Sequence, residues 1–228
     1  MWTELLSIFR PGNPLNSISK DFKEMLAIDL KMATIVQPHI FDQSLTMEQQ
    51  AKVYTLDVKV NKLERKIRKQ IITHASLTGA DIGYCFMMMS IVKDAERIGD
   101  YMKNITEVKA LGGGGVPEGP IRTELEELVS NAMLLVTEAP ILVENEDTER
   151  AQELVEIGRD SGTRCDRLLV ELAKTKFGAS KTTSMVLLTR FYKRLGAHAL
   201  NIISSVLMPV HKVDFIDEKY IATAVENT

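Results

Sequence analysis

The sequence predicts an all-α protein built as two tandem three-helix bundles. Apolar residues recur every three or four positions along the long segments, and strand-like alternation is hard to find. A run of glycine and proline interrupts the chain near its middle. Residues 97–105 (Arg-Ile-Gly-Asp-Tyr-Met-Lys-Asn-Ile) recur as residues 194–202 (Arg-Leu-Gly-Ala-His-Ala-Leu-Asn-Ile), with Arg, Gly, Asn and Ile at matching offsets. Two diverged copies of one three-helix unit follow from this repeat.

The first unit covers residues 15–111, with predicted helices over 15–41, 47–75 and 80–111. The apolar stripe of the second helix consists of Val53, Leu56, Val60, Leu63, Ile67 and Ile71. Residues 1–14 form a largely apolar N-terminal extension. We expect this extension to dock on the chain's own bundle or on a partner.

Residues 112–120 (Gly-Gly-Gly-Gly-Val-Pro-Glu-Gly-Pro) form a linker, because no helix tolerates this composition. A phosphate-binding loop would need a preceding strand and a following Lys-Ser or Lys-Thr, and the sequence has neither. The second unit covers residues 121–208, with helices over 121–143, 148–176 and 182–207, and a tail covers 209–228. Pro38 and Pro140 predict a kink or break near the ends of helices one and four.

The overall composition excludes several functional classes. A net charge of −3 gives no general attraction to nucleic acid, and the basic segment 62–69 is interpreted as the solvated face of a helix. Cys85 and Cys165 stand alone, which favours core positions in a reducing compartment. The sequence shows no signal peptide, and the longest apolar run, 82–92, is too short to span a bilayer. We therefore expect a cytoplasmic protein that reaches membranes only through partners, and its long helices are compatible with a homodimer.

Acidic side chains suggest a metal site in the first unit. Glu96 and Asp100 are spaced i,i+4, so both carboxylates leave one helix face and repel each other. In the preceding helix, Asp57, Asn61 and Glu64 form a comparable row of oxygens. Antiparallel helices would bring the two rows together. Oxygen ligands without sulfur or imidazole suit Mg, Mn, Ca or Fe.

Two alternatives stay open at this stage. Lys93 and Lys103 lie three residues from Glu96 and Asp100, so ordinary surface ion pairs would also explain the acids. A glycine in mid-helix costs about 1 kcal/mol relative to alanine. Its recurrence in both repeat copies indicates either close approach of a helix or ligand, or packing alone.

The second unit lacks the acidic pair. Lys193 and Ala197 stand where the first unit has its two acids. Asp166 is the one oxygen ligand left in helix five, with His198 in the aligned helix. A second metal cluster is therefore not expected.

Residues 94–105 (Asp-Ala-Glu-Arg-Ile-Gly-Asp-Tyr-Met-Lys-Asn-Ile) closely resemble the signature of the PhoU family. Residues 57–64 resemble the Asp-x-x-Ile-Asp-x-Leu-Glu stretch of the same family. The resemblance extends over almost the whole chain and implies a PhoU-like pseudo-repeat, with a degenerate second copy. It also implies bound divalent or ferric metal (Fe, Mn, Mg or Zn), here in the first repeat only.

Carried over residue by residue, the resemblance assigns Glu96 and Asp100 to the family's metal motif and Asp57 to the preceding helix. Asn61 replaces an acid and retains one neutral oxygen. In the second half Asp166 alone matches.

The resemblance implies a regulator of phosphate uptake and of the phosphate-starvation response. Its expected partners are a phosphate-responsive sensor histidine kinase, a phosphate transporter subunit, or both. We expect no enzymatic activity, because none of the four histidines follows a glutamate at the Glu-x-x-His spacing of di-iron bundles. The alternative is a metal-binding sensor or storage protein without a phosphate role.

Overall fold

Six long α-helices make up most of the computed structural model, which describes residues 15–42 and 44–213. Short 3-10 helices cover Gln37–His39 and Val210–Lys212. The long helices are α1 Leu15–Val36, α2 Met47–Thr78, α3 Ile82–Glu107, α4 Pro120–Asn145, α5 Thr148–Leu172 and α6 Ala179–Leu207. The predicted all-α class is confirmed. The N-terminal extension lies outside the described residues, as does the tail beyond residue 213.

Local sequence explains where α2 begins and ends. The Thr46 hydroxyl accepts from the Gln49 backbone N–H, while the Gln49 side chain accepts from the Thr46 backbone N–H, which is a capping box. Gly79, at φ +60°, ends the helix in the left-handed conformation that glycine adopts without steric cost. Asp147 caps α5 in a similar way by accepting from the Arg150 backbone N–H.

Several helices end at a residue other than the predicted one. Helix α1 stops at Val36 instead of residue 41, because Pro38 diverts the chain into a 3-10 turn. Helix α3 ends at Glu107 and α5 at Leu172, each four residues before the predicted end. Pro140 does not break α4, which continues to Asn145.

The helices pack as two groups of three. Helices α1, α2 and α3 contact one another and form the first bundle, and α4, α5 and α6 form the second. The bundles meet mainly through α3 and α6, the third helix of each repeat, with a smaller contact between α1 and α4. Helix α2 packs on α1 and α3 and makes no comparable contact with the second bundle. It is the outer helix of the first bundle.

The glycine-rich linker is packed against the rest of the chain. The Gly114 N–H donates to the Ser180 carbonyl at 3.1 Å, and the Val116 N–H donates to the Phe41 carbonyl at 2.9 Å. A Cβ at Gly113 would lie 2.6 Å from Ser184 Oγ, so this position has no room for a side chain. The linker therefore holds the end of the first bundle against the start of α6.

No helix in the described part of the chain is long and apolar enough to cross a membrane. Both cysteines are buried and free. Burial raises the pKa of Cys85, and it raises the pKa of Cys165 to about 11. Both thiols therefore stay protonated at neutral pH and are poor nucleophiles.

Candidate metal centre

The acidic rows of α2 and α3 meet around one ammonium group. Lys103 Nζ lies 3.2 Å from Asp57 Oδ2 on α2 and 2.8 Å from Asp100 Oδ1 on its own helix. The Asn61 amide donates to Asp57 Oδ2 at 3.4 Å. The structure thus brings Asp57, Asn61 and Asp100 together, as the antiparallel arrangement predicts, and places a lysine between the two carboxylates.

A second cation covers the outer side of the cluster. Arg97 lies 2.9 Å from Asp100 and 3.4 Å from Glu96, measured between the guanidinium nitrogens and carboxylate oxygens. The ion pair between Lys103 and Asp100, which the spacing predicted, is also present. Lys93 contacts the neighbouring Asp94 at 3.1 Å.

The charged groups of this cluster shift one another's pKa values. Burial lowers the pKa of Lys103, but the hydrogen bond and charge of Asp100, with Asp57, outweigh it and raise the pKa. Burial raises the pKa of Glu96, the Asp100 charge raises it further, and Arg97 opposes both. Lys103 stays protonated, so it serves as an internal cation for the oxygens that surround it.

Asp29, on α1, is a member of this cluster that the sequence analysis missed. It is fully buried, and neither carboxylate oxygen has a hydrogen-bond partner within the described residues. Burial, followed by the charges of Asp57 and Glu96, raises its pKa well above the ordinary value. A signal was available, because Asp29 interrupts the buried stripe that includes Met25 and Met32.

Asp29 also explains the glycine of α3. A Cβ built on Gly99 would lie 2.9 Å from Asp29 Oδ1 and 3.5 Å from a Val60 methyl. Side chains of α1 and α2 therefore pack directly on the α3 backbone at this position. Packing alone accounts for Gly99.

The donor set can be tested against the metal that the PhoU resemblance implies. Across residues 15–42 and 44–213, no three acidic, histidine or cysteine side chains converge closely enough to hold a metal as they stand. Lys103 occupies the space between Asp57 and Asp100. The oxygens nevertheless match a hard cation, and Asp29 supplies two buried oxygens that no group among the described residues satisfies. Metal binding at Glu96, Asp100, Asp57 and Asn61 stays a prediction.

The corresponding region of the second bundle is different. Asp166 is more than half exposed and accepts from Lys193 Nζ at 2.5 Å. A groove of about 690 Å³ lies beside this pair, lined by apolar residues of α4 and by Tyr192 and Gly196 of α6. A Cβ on Gly196 would meet Leu135 at 3.7 Å, which is ordinary van der Waals contact. The predicted remnant ligand is thus part of an ion pair next to a cavity.

A buried polar contact joins the two bundles. Asp94, fully buried on α3, accepts from Asn201 Nδ2 at 2.9 Å, and its other contact on α6 is His198 Nδ1 at 2.7 Å. The His198 ring also stacks on Tyr101 of α3, with centroids 5.7 Å apart. His198 therefore serves the interface between the bundles. The sequence feature that could have identified this contact is the asparagine that recurs in both repeat copies, here Asn201.

The comparisons with known proteins agree with this architecture. The pattern of the PhoU domain matches residues 23–108, which span most of the first bundle. Residues 23–108 are therefore similar to a PhoU domain. This match confirms the resemblance to the PhoU family, and no curated protein matches the chain.

Solved PhoU structures extend the likeness to the fold of both bundles. PhoU from Pseudomonas aeruginosa superposes with a TM-score of 0.73 at 20% identity, covering 85% of this chain and 95% of that one. The phosphate transport system regulatory protein PhoU from Streptococcus pneumoniae gives a TM-score of 0.72 at 15% identity, covering 85% and 93%. At these identities the superpositions establish the PhoU fold, including its second bundle.

Proposed function

We propose that this chain regulates phosphate uptake and the phosphate-starvation response as a non-catalytic protein of the PhoU type. The observation that carries the proposal is the PhoU domain over residues 23–108, together with the PhoU fold of both bundles. One of the two structural neighbours, from Streptococcus pneumoniae, is a phosphate transport system regulatory protein. The protonated state of both buried thiols supports a role other than nucleophilic catalysis.

Regulation of this kind requires contact with other proteins. We propose a sensor histidine kinase, a phosphate transporter subunit, or both as partners, with the contact made in the cytoplasm. The interlocked bundles support such a role, since the buried Asp94–His198 contact holds the two groups of helices as one platform.

Deletion of the gene in its host tests the regulatory role. We expect phosphate uptake to rise, or the starvation response to stay on, when phosphate is plentiful, and plasmid-borne wild type should restore the control. Unchanged uptake and an unchanged starvation response in the deletion strain would contradict the proposal.

Metal binding by the first bundle is a second proposed property. Asp57, Asn61, Glu96 and Asp100 would hold the ion, and the unsatisfied oxygens of Asp29 support a cation in this region. A bound ion would neutralise carboxylates that now share the charges of Lys103 and Arg97.

Elemental analysis of the purified chain tests this property, beside a Glu96→Ala/Asp100→Ala variant. We expect iron, manganese, magnesium or zinc in the parent and its loss in the variant. The matched control is Asp166→Ala, which removes the second-bundle acid and should leave the metal content unchanged. Equal metal in all three proteins would place the ion elsewhere.

A further inference from the structure

The outward face of α2 is a continuous basic surface, which we call the basic face of α2. Its cations lie on one side of the helix, three residues apart except for an adjacent pair in the middle. Each of them is exposed. The cations of the basic face are Lys59, Lys62, Arg65, Lys66 and Lys69.

These charges are largely unneutralised. Lys66 pairs with Asp21 of α1 at 2.8 Å, whereas the other four cations form no salt bridge with any residue in the described ranges. The two acids of this stretch lie off the basic face: Asp57 is buried, and Glu64 pairs with Arg68 at 2.8 Å. A local positive surface therefore exists on a chain whose net charge is −3.

Apolar side chains extend the same face at both ends. Val58 precedes the cations and is 48% exposed, while Ile72 and Leu77 follow them at 60% and 80%. Phe86, in the second turn of α3, is 63% exposed near the same end of the bundle as Leu77. The apolar stripe of α2 is buried in the bundle, so contact with a membrane would depend on the attraction of these cations to anionic lipid and on the few exposed apolar groups beside them.

The shape of the surface separates a membrane from other acidic partners. Helix α2 packs on α1 and α3 through its opposite side, so the basic face lies on a convex ridge. The cations cover about 15 Å of this ridge, which is about 30 Å long from Val58 to Leu77. A plane of lipid headgroups contacts such a ridge along its whole length. Nucleic acid would neutralise the cations but would leave Ile72 and Leu77 exposed.

We propose that the basic face of α2 binds directly to bilayers containing anionic phospholipid, with Ile72 and Leu77 entering the headgroup region. This peripheral contact requires no membrane-spanning helix and no protein partner. It goes beyond the proposed regulatory function and does not depend on it, because vesicle binding can fail or succeed whatever the phosphate phenotype.

Vesicle sedimentation with the full chain tests the proposal. We expect binding to vesicles of phosphatidylcholine mixed with phosphatidylglycerol, progressive loss of that binding as salt increases, and little binding to phosphatidylcholine alone. Absence of binding to the anionic vesicles would overturn the proposal, as would equal binding to both compositions.

Charge-reversal variants locate the surface. Lys62→Glu/Lys69→Glu should weaken binding at least about 25-fold, from about 5-fold for each cation lost near the surface. The matched control, Lys174→Glu/Lys181→Glu, makes the same charge change at exposed positions of the second half and should stay within about 3-fold of the parent. Equal weakening in both variants would overturn the assignment to α2.

Two further measurements separate lipid from protein as the target. Ile72→Ser/Leu77→Ser should weaken vesicle binding and leave its salt dependence unchanged, since no charge is altered. Polyglutamate should compete poorly. Binding to polyglutamate without binding to anionic vesicles would replace the bilayer with an acidic protein partner. Circular dichroism of each variant confirms that the helices persist.

Discussion

The two bundles share one backbone plan and surround their repeated glycine with opposite environments. In the first, Gly99 lies against the Asp29 carboxylate and Val60, and acids and bases crowd the nearby surface. In the second, Gly196 has only ordinary contacts with Leu135 and Ala132, beside a groove of about 690 Å³. The difference shows that a repeated glycine can record common ancestry in one copy and an active packing constraint in the other.

The interface between the bundles shows the same divergence. In the register that pairs Arg97 with Arg194, Asp94 corresponds to Phe191, and Tyr101 corresponds to His198. The contact of Asp94 with His198 is thus the repeat-related counterpart of the contact between Phe191 and Tyr101, whose ring centroids are 6.0 Å apart. One copy of the contact is polar and buried, and the other is aromatic.

Removal of the polar contact between Asp94 and His198 should have the largest effect on the free energy of unfolding. Asp94→Ala leaves His198 and Asn201 without their shared acceptor, and hydrogen bonds to a buried charge contribute about 1.5–3 kcal/mol each. We expect urea denaturation to show a loss of about 3 kcal/mol. Asp94→Asn retains an acceptor oxygen and should lose less. A loss below about 0.5 kcal/mol in Asp94→Ala would mean that this polar contact adds little to the packing of α3 against α6.

Asp29 should make stability depend on pH. Because burial raises its folded pKa, the folded chain binds more protons than the unfolded chain above pH ~3.9. The stability that the protonated Asp29 side chain gives the folded state is therefore complete below that pH. This stability is lost as pH rises through the folded pKa, at about 1.4 kcal/mol per pH unit.

Asp29→Asn removes this titration while keeping the shape of the side chain. In thermal melts with a chelator present, the variant should gain stability over the parent as pH increases from about 5 to 8. A constant difference across this range would show that Asp29 ionises normally.

The two glycines provide a direct comparison of the bundles. Gly99→Ala must displace Asp29 or Val60 and should destabilise the chain by about 1–3 kcal/mol. Gly196→Ala has room for its methyl group and should gain up to about 1 kcal/mol from helix propensity. Denaturation of both variants checks the signs, and the same sign in both would contradict the assigned environments.

The smallest expected effect belongs to the exposed ion pair of the second bundle. Asp166→Asn breaks the contact with Lys193, and exposed pairs contribute about 0–1 kcal/mol. We expect a loss within that range by denaturation. A much larger loss would indicate that this acid has a structural role beyond the pair.

Regular features of the sequence predicted the fold. Apolar periodicity located all six helices. The predicted end of α1 was wrong by five residues because Pro38 diverts the chain, and the predicted ends of α3 and α5 were wrong by four residues because apolar periodicity does not mark the exact end of a helix.

The candidate site was only partly predictable. Spacing identified Asp57, Asn61 and Asp100, which are neighbours through α2 and α3. The position of Asp29 in the buried stripe of α1 marked it as unusual, but spacing could not place it opposite Gly99, because that depends on how α1 packs. Spacing predicted the ion pair of Lys103 with Asp100, but it did not show that the same ammonium group would also reach Asp57 on α2, because that depends on how the flexible lysine side chain lies between the helices.

The proposed cation site of the first bundle lies around a position that Lys103 now shares. A titration of metal-free protein with Mn²⁺ tests it most directly, using the parent, Lys103→Gln and Lys103→Gln/Asp57→Asn/Asp100→Asn. Loss of the ammonium should tighten Mn²⁺ binding relative to the parent, and loss of both carboxylates should abolish the gain. No tighter binding in Lys103→Gln, or binding that survives removal of Asp57 and Asp100, would contradict the claim.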